Sequence, residues 1–208
     1  MNLRTRPTTG LLCGLLLISF AACEPTKTDN PLVTLETEMG NIVIEVMVDK
    51  APLSGGDFLS YVEQGLYEGE GFYRIVRAND NDNGSPMIDV IQGGVIAEGM
   101  GLEPVAHETT DSTGIKHSDG TISLARGDVG TGSAAYFFIT VGEQPSLDFG
   151  GTRNPDGQGF AAFGRVVEGT DVVRKIHSLD PGLFETSEGY MAGQLLKEPV
   201  RIIGARVN

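Results

Sequence analysis

Few side chains in this sequence are arranged for chemistry, and the familiar types are arranged poorly. His107, His117 and His177 have no partner one helical turn away and no neighbouring Cys, so they do not spell a zinc site. Each reads as a loop or surface histidine. No Gly-x-Ser-x-Gly elbow is present to hold a nucleophilic serine. Gly127 to Ser133 (GDVGTGS) spaces its glycines like a phosphate loop, but it has no lysine and runs into a β-rich segment instead of a helix. Asn79 to Gly84 (NDNDNG) is spaced like the opening of a calcium loop. Val90 stands where the closing glutamate belongs, which leaves a turn-rich loop with weak ligation by Asp80, Asp82 and Asp89 as the remaining calcium reading. No metal and no cofactor is expected. What remains is a guanidinium. Arg74, between Tyr73 and Ile75 in GFYRIV, and Gln92, in VIQGG, interrupt otherwise apolar text. A strand arginine so placed either reaches water at a sheet edge, paired with Asp89, or lines a cleft. In a cleft it would offer a fixed fork of donors that does not titrate.

The elements that must position these two residues are strands. Gly71 to Val76, Val90 to Gly94, Ile122 to Arg126 and Ser133 to Thr140 alternate or run apolar between Gly, Asn and Asp. Ahead of them, Leu32 to Thr37 and Ile42 to Met47 read as a hairpin turning at Met39-Gly40-Asn41. Ala51-Pro52 ends extension, and Ser54 with Asp57 resembles a capping box for a helix ending at Gly65, with Phe58, Leu59, Tyr61 and Val62 inward. Later come a loop carrying Ser146-Leu147-Asp148, the glycine-rich Gly150 to Gly159, and a strand over Phe160 to Val167. A second helix capped by Thr170 follows, with Val172, Val173 and Ile176 inward, and the chain closes on a strand over Arg201 to Val207. Many strands, two helices and short turns predict a mainly all-β barrel or sandwich.

The 208 residues suit one domain, and 40% hydrophobic content with 29 glycines is a globular composition rich in turns. Residues 1–22 read as a secretory signal of lipoprotein type: Arg4 and Arg6, an apolar run from Leu11 to Phe20, then Ala21-Ala22 before Cys23. Cys23 is the expected lipidation site. Its only companion, Cys13, lies inside the signal, so no internal disulfide can form in the processed chain. Residues 23–31 read as a polar tether and 32–208 as the folded domain. Cleavage would remove two arginines and no acids, taking the net charge from -13 to -15. Such a surface repels phosphate backbones, which excludes nucleic acid as a partner. The expected location is outside the cytoplasm, lipid-anchored to a bacterial membrane, with the domain monomeric.

FYRIV, IQGG, ISLAR, AAYFFI, SLD and FAAFG, in that order from about Leu32 to Val207, resemble the cyclophilins, which are peptidyl-prolyl cis/trans isomerases. The resemblance implies a closed eight-stranded antiparallel barrel with a capping helix over each end, and substrates that are proline-containing polypeptides. It implies that Arg74 is catalytic, with Gln92 beside it. Phe138 would floor a proline pocket walled by Leu147, Phe160 and Val90. Ala125 and Arg126 would present backbone to the peptide, and Tyr136 stands where the family has glutamine.

The physics suits that assignment. Turning an imide bond costs about 18–20 kcal/mol because resonance is lost. Halfway round, the prolyl nitrogen regains a lone pair, and a donor that bonds it only then accelerates the turn. One charge-assisted bond contributes roughly 1.5–3 kcal/mol, whereas millisecond turnover needs about 7 kcal/mol off the barrier. An apolar pocket must supply the rest. Three departures bear on it: Arg77 to Asp89 is an insertion, with Asp89 at a normally aromatic rim position that Met87 or Ile88 could fill instead; Tyr136 replaces glutamine; Ser146 replaces an aromatic, so cyclosporin-type ligands should bind poorly. The alternative expectation is a non-catalytic cyclophilin-like module that grips a peptide or an envelope partner.

Overall fold

The structure, a computed structural model, describes residues 30–78, 84–95, 101–180 and 191–208, together with Met1. The expected signal, Cys23 and most of the tether lie outside the described residues, as do Asn79 to Asn83 of the calcium-like loop. Among the described residues there are eight strands: β1 (Leu32–Thr37), β2 (Gly40–Val46), β3 (Gly71–Val76), β4 (Val90–Gly94), β5 (Thr121–Leu124), β6 (Tyr136–Thr140), β7 (Ala161–Glu168) and β8 (Leu195–Val207). They close into an antiparallel barrel in the order β1-β2-β7-β5-β6-β4-β3-β8. Closure leaves no sheet edge, so every strand is paired on both sides.

The interior follows from alternation. Val33 and Leu35 on β1, Ile42, Ile44 and Val46 on β2, and Phe137 and Ile139 on β6 all join one core. Phe58 and Tyr61, from α1 (Pro52–Glu63), close one end of it. There the Phe58 ring meets Phe137 edge-on at 5.7 Å and tilts over Phe163 at 5.1 Å. α3 (Thr170–His177) buries Val172, Val173 and Ile176 in the same core and packs on β2, β3 and β4. A third helix, α2 (Thr110–Thr113), is a single turn that the sequence reading did not anticipate; Thr109 caps it by accepting from the Ser112 N–H at 3.3 Å.

Three boundaries differ from expectation for identifiable reasons. Ser54 does not cap α1: the helix starts at Pro52, and the Glu108 carboxylate accepts from the Leu53 and Ser54 N–H groups at 3.2 and 2.7 Å. A carboxylate brought from a distant loop thus takes the cap's place at the positive end of the helix dipole. Thr170 is the first residue of α3, not its cap. Gly169 precedes it at φ +85, where a Cβ would sit 2.2 Å from the Asn41 carbonyl oxygen. β8 begins at Leu195 instead of Arg201. It meets β3 with a register shift across Lys197-Glu198-Pro199, Phe72 pairing with Val200 and Arg74 with Leu195.

The Gly93-Gly94 pair after Gln92 is dictated by crowding. A Cβ on Gly93 would sit 2.9 Å from the Phe72 ring, and one on Gly94 only 2.0 Å from the Ala135 carbonyl oxygen, with φ already at +133. We predict that Gly94→Ala destabilises the protein by roughly 2 kcal/mol or more. Thermal denaturation should show Tm falling by about 4–8 °C; an unchanged Tm would refute the crowding argument.

Candidate active site

Arg74 reaches its position through a bulge. Phe72 and Ile75 both face the barrel interior, although strict alternation cannot place residues three apart on one face. The mismatch is absorbed between Phe72 and Arg74, where the β3–β4 and β3–β8 ladders both shift register. Arg74 and Val76 are thereby turned outward onto a cleft of about 780 Å³. Along the barrel wall, Arg74 pairs with Gln92, Gln92 with Phe138, and Phe138 with Ser123. A contiguous row of ladder neighbours therefore carries the guanidinium, the amide and the phenyl ring.

The Arg74 side chain is held by two amides. Its Nε and one terminal nitrogen donate to Gln194 Oε1 at 2.8 and 2.6 Å, and the other terminal nitrogen donates to Gln92 Oε1 at 2.9 Å. Gln92 in turn donates from Nε2 to the Tyr73 hydroxyl at 2.8 Å. Arg74 is 9% exposed, so these contacts replace most of its water. Arg74 lines the same cleft as Phe138 and does not stand in open solvent. Asp89 turns the other way, accepting from the Ala78 N–H at 3.1 Å and lying 3.6 Å from His177 Nε2 on α3. Ile88 occupies the rim in its place, packed with Val76, Val90, Phe138 and Leu147 as a second apolar cluster, while Met87 is exposed.

Phe138 is 5% exposed and meets Phe160 edge-on at 5.2 Å. Ala125 and Phe160 pack against the cluster, and Tyr136 stands at its mouth, 45% exposed. All nine residues expected at the substrate site (Arg74, Val90, Gln92, Ala125, Arg126, Tyr136, Phe138, Leu147 and Phe160) line this one cleft. Arg126 sits over the Phe160 ring at 5.4 Å and grips Asp156 with two nitrogens at 2.8 and 2.9 Å. That grip, helped by the Gln158 N–H, holds the Asp156 carboxyl down to about 2. Across the cleft, Arg153 donates to the Pro86 carbonyl at 2.8 Å and ties the glycine-rich segment to the insertion; desolvation lowers its pKa. Among the described residues, no group of three His, Cys, Asp or Glu side chains could hold a metal ion.

His117 corrects the sequence reading. It lies in a loop, as expected, but not at the surface: it is 1% exposed, its ring stacked behind Phe138 at 5.9 Å and 15°. Its Nδ1 lies 2.8 Å from Asp148 Oδ1, its Nε2 3.1 Å from Ser123 Oγ, and its backbone N–H donates to Asp148 at 3.0 Å. The order Ser–His–Asp is that of a nucleophilic triad, yet Ser123 is fully buried and cannot meet a substrate. The chain of bonds instead fixes Leu147, next to Asp148, against the floor that Phe138 provides. Gln194, in the turn just before β8, carries no pattern that the sequence analysis singles out.

The model of the family described as cyclophilin type peptidyl-prolyl cis-trans isomerase/CLD matches residues 32–207. The chain belongs to that family. This cyclophilin is 32% identical over 201 residues to a peptidyl-prolyl cis-trans isomerase of Acinetobacter baylyi, covering 95% of this chain and 93% of that one. To peptidyl-prolyl cis-trans isomerase B of Escherichia coli it is 36% identical over 155 residues, covering 73% and 87%. The crystal structure of a cyclophilin-type isomerase from Cryptosporidium parvum superimposes with a TM-score of 0.60 at 16% identity, covering 86% of this chain and 98% of that one, and supports the fold. The cyclophilin described here is accordingly an enzyme of prolyl isomerisation.

The Asp148 pair gives a pH signature. Burial opposes ionisation, but the ring and backbone donors of His117 outweigh it and hold the Asp148 carboxyl below its ordinary value. A depressed folded pKa contributes stability that is fully present above the unfolded value near 3.9 and is lost as pH falls through the folded one. The Tm advantage of wild type over Asp148→Asn should be full near pH 6 and shrink below about pH 4. An advantage that does not change with pH would contradict the ionised pairing.

Proposed function

We propose that this cyclophilin isomerises Xaa-Pro bonds in exported, unfolded or extended polypeptides, with Arg74 donating to the prolyl nitrogen as the imide twists. The observation that carries this reading is the placement of one anchored guanidinium on the wall of the cleft whose floor is Phe138. The proline ring would lie on Phe138, walled by Leu147, Phe160, Val90 and Ile88, which strips water from the amide. Water would otherwise stabilise the planar, more polar ground state. Gln92 orients Arg74 and offers its amide to the peptide backbone, while Ala125, Arg126 and Tyr136 flank the chain as it runs past the ring. No proton is transferred and no covalent bond forms, so the reaction needs only differential binding of the twisted state.

The setting is inferred from the sequence. A signal of lipoprotein type and Cys23 would place a monomeric domain on a tether outside the cytoplasm, where emerging chains present prolines in both isomers. One acyl chain alone binds a membrane marginally, so firm anchoring requires more than one.

Arg74→Ala should lower kcat/KM on a short Xaa-Pro peptide by about ten- to a hundredfold, the range of one charge-assisted hydrogen bond. Peptide affinity, measured by titration calorimetry, should stay nearly constant. Undiminished turnover would reject the role of Arg74. For the setting, cells producing the full chain should incorporate labelled palmitate into wild type and not into Cys23→Ser. Equal absence of label from both would reject lipid anchoring.

A further inference from the structure

Gln194 lies outside every residue so far assigned to substrate, yet it makes two short contacts to Arg74. Its Oε1 accepts two of the three hydrogen bonds described for the Arg74 side chain, at 2.8 and 2.6 Å. Gln194 is 4% exposed, so this acceptor is not exchanged for water. Its own backbone is fixed on both sides: the Ile75 N–H donates to its carbonyl at 2.8 Å, and its N–H donates to the Met191 carbonyl at 3.1 Å. The shift in register that pairs Arg74 with Leu195 brings this side chain to the guanidinium.

We infer that Gln194 is a positioning residue for the reaction: its carbonyl oxygen, with that of Gln92, clamps Arg74 so that the guanidinium plane is set before substrate arrives. The inference rests on the proposed role of Arg74. An arginine side chain has several rotatable bonds, and an unclamped one must be ordered in each catalytic cycle. Nε is the nitrogen nearest the aliphatic stem, so a bond there fixes the plane of the whole fork, which a bond to a terminal nitrogen alone does not. The two clamps also come from opposite sides of β3, Gln92 from β4 and Gln194 from the turn just before β8, and the guanidinium is caught between them. The cost of losing one should appear in the twisted state and leave ground-state binding alone.

The test is a double-mutant cycle in the full chain on one Xaa-Pro peptide, using Gln194→Met, which keeps the volume and removes the acceptor, with Arg74→Ala and the double variant. Gln194→Met should lower kcat about tenfold, with KM little changed, and should cost nothing further when Arg74 is already alanine. A parallel NMR measurement of the Arg74 Nε–H should show a slowly exchanging proton in wild type that exchanges fast in Gln194→Met. Three results would overturn the clamp: full kcat in Gln194→Met while Arg74→Ala is impaired, an equal loss in both backgrounds, or an Nε–H unchanged by the substitution. If Gln194→Met does not fold, the wild-type Nε–H decides, and fast exchange there overturns the clamp. Full activity of Arg74→Ala would instead remove the reading on which this one rests.

Discussion

A barrel wall has two faces, and at β3 both are in use. The interior requires Phe72 and Ile75, while the cleft requires Arg74 and Val76, and no regular strand can satisfy both demands. The extra residue between Phe72 and Arg74 resolves the conflict by letting the strand change faces midway. Everything at the site depends on that irregularity. Without it Arg74 would point into an aromatic core with no partner for its charge, a placement too costly to persist.

From there the site builds outward by ladder geometry. Gln92 and Phe138 follow on the next two strands at the same level, so the spacing between guanidinium and ring is set by strand separation and not by flexible loops. The loops then brace what the strands have placed. The His117–Asp148 pair backs the floor, the Arg126–Asp156 pair backs Phe160, and Arg153 ties the insertion to the opposite bank. The charged groups at the cleft are thus engaged in holding its shape. Its base is apolar, which is the environment in which a twisted, less polar imide is favoured.

Most of the strands were legible in the sequence, because period-two patterns report local structure, and the nine residues that the cyclophilin resemblance singles out line one cleft. Arg74 and Gln92 stood out as polar residues in apolar runs, and that anomaly is itself a local signal. What could not be read was long-range. Gln194 meets Arg74 because β8 starts at Leu195, ahead of Arg201, and shifts register across Lys197-Glu198-Pro199 against β3. Glu108 caps α1 from far along the chain, where local motif reading favours Ser54. His117 carries no pattern that distinguishes a buried, doubly bonded imidazole from an exposed one. The swap of Ile88 for Asp89 at the rim follows from Asp89 turning to the Ala78 N–H and to His177 on α3.

The central claim is that one anchored guanidinium meets the prolyl nitrogen over the Phe138 floor. A crystal structure of the protein with a bound Xaa-Pro peptide tests it directly. The account predicts the proline ring on Phe138 and an Arg74 N–H donor within about 3.2 Å of the prolyl nitrogen, or one rotation of the imide away from it. A ring bound elsewhere, or an Arg74 that reaches only the peptide carbonyl oxygens, would contradict it.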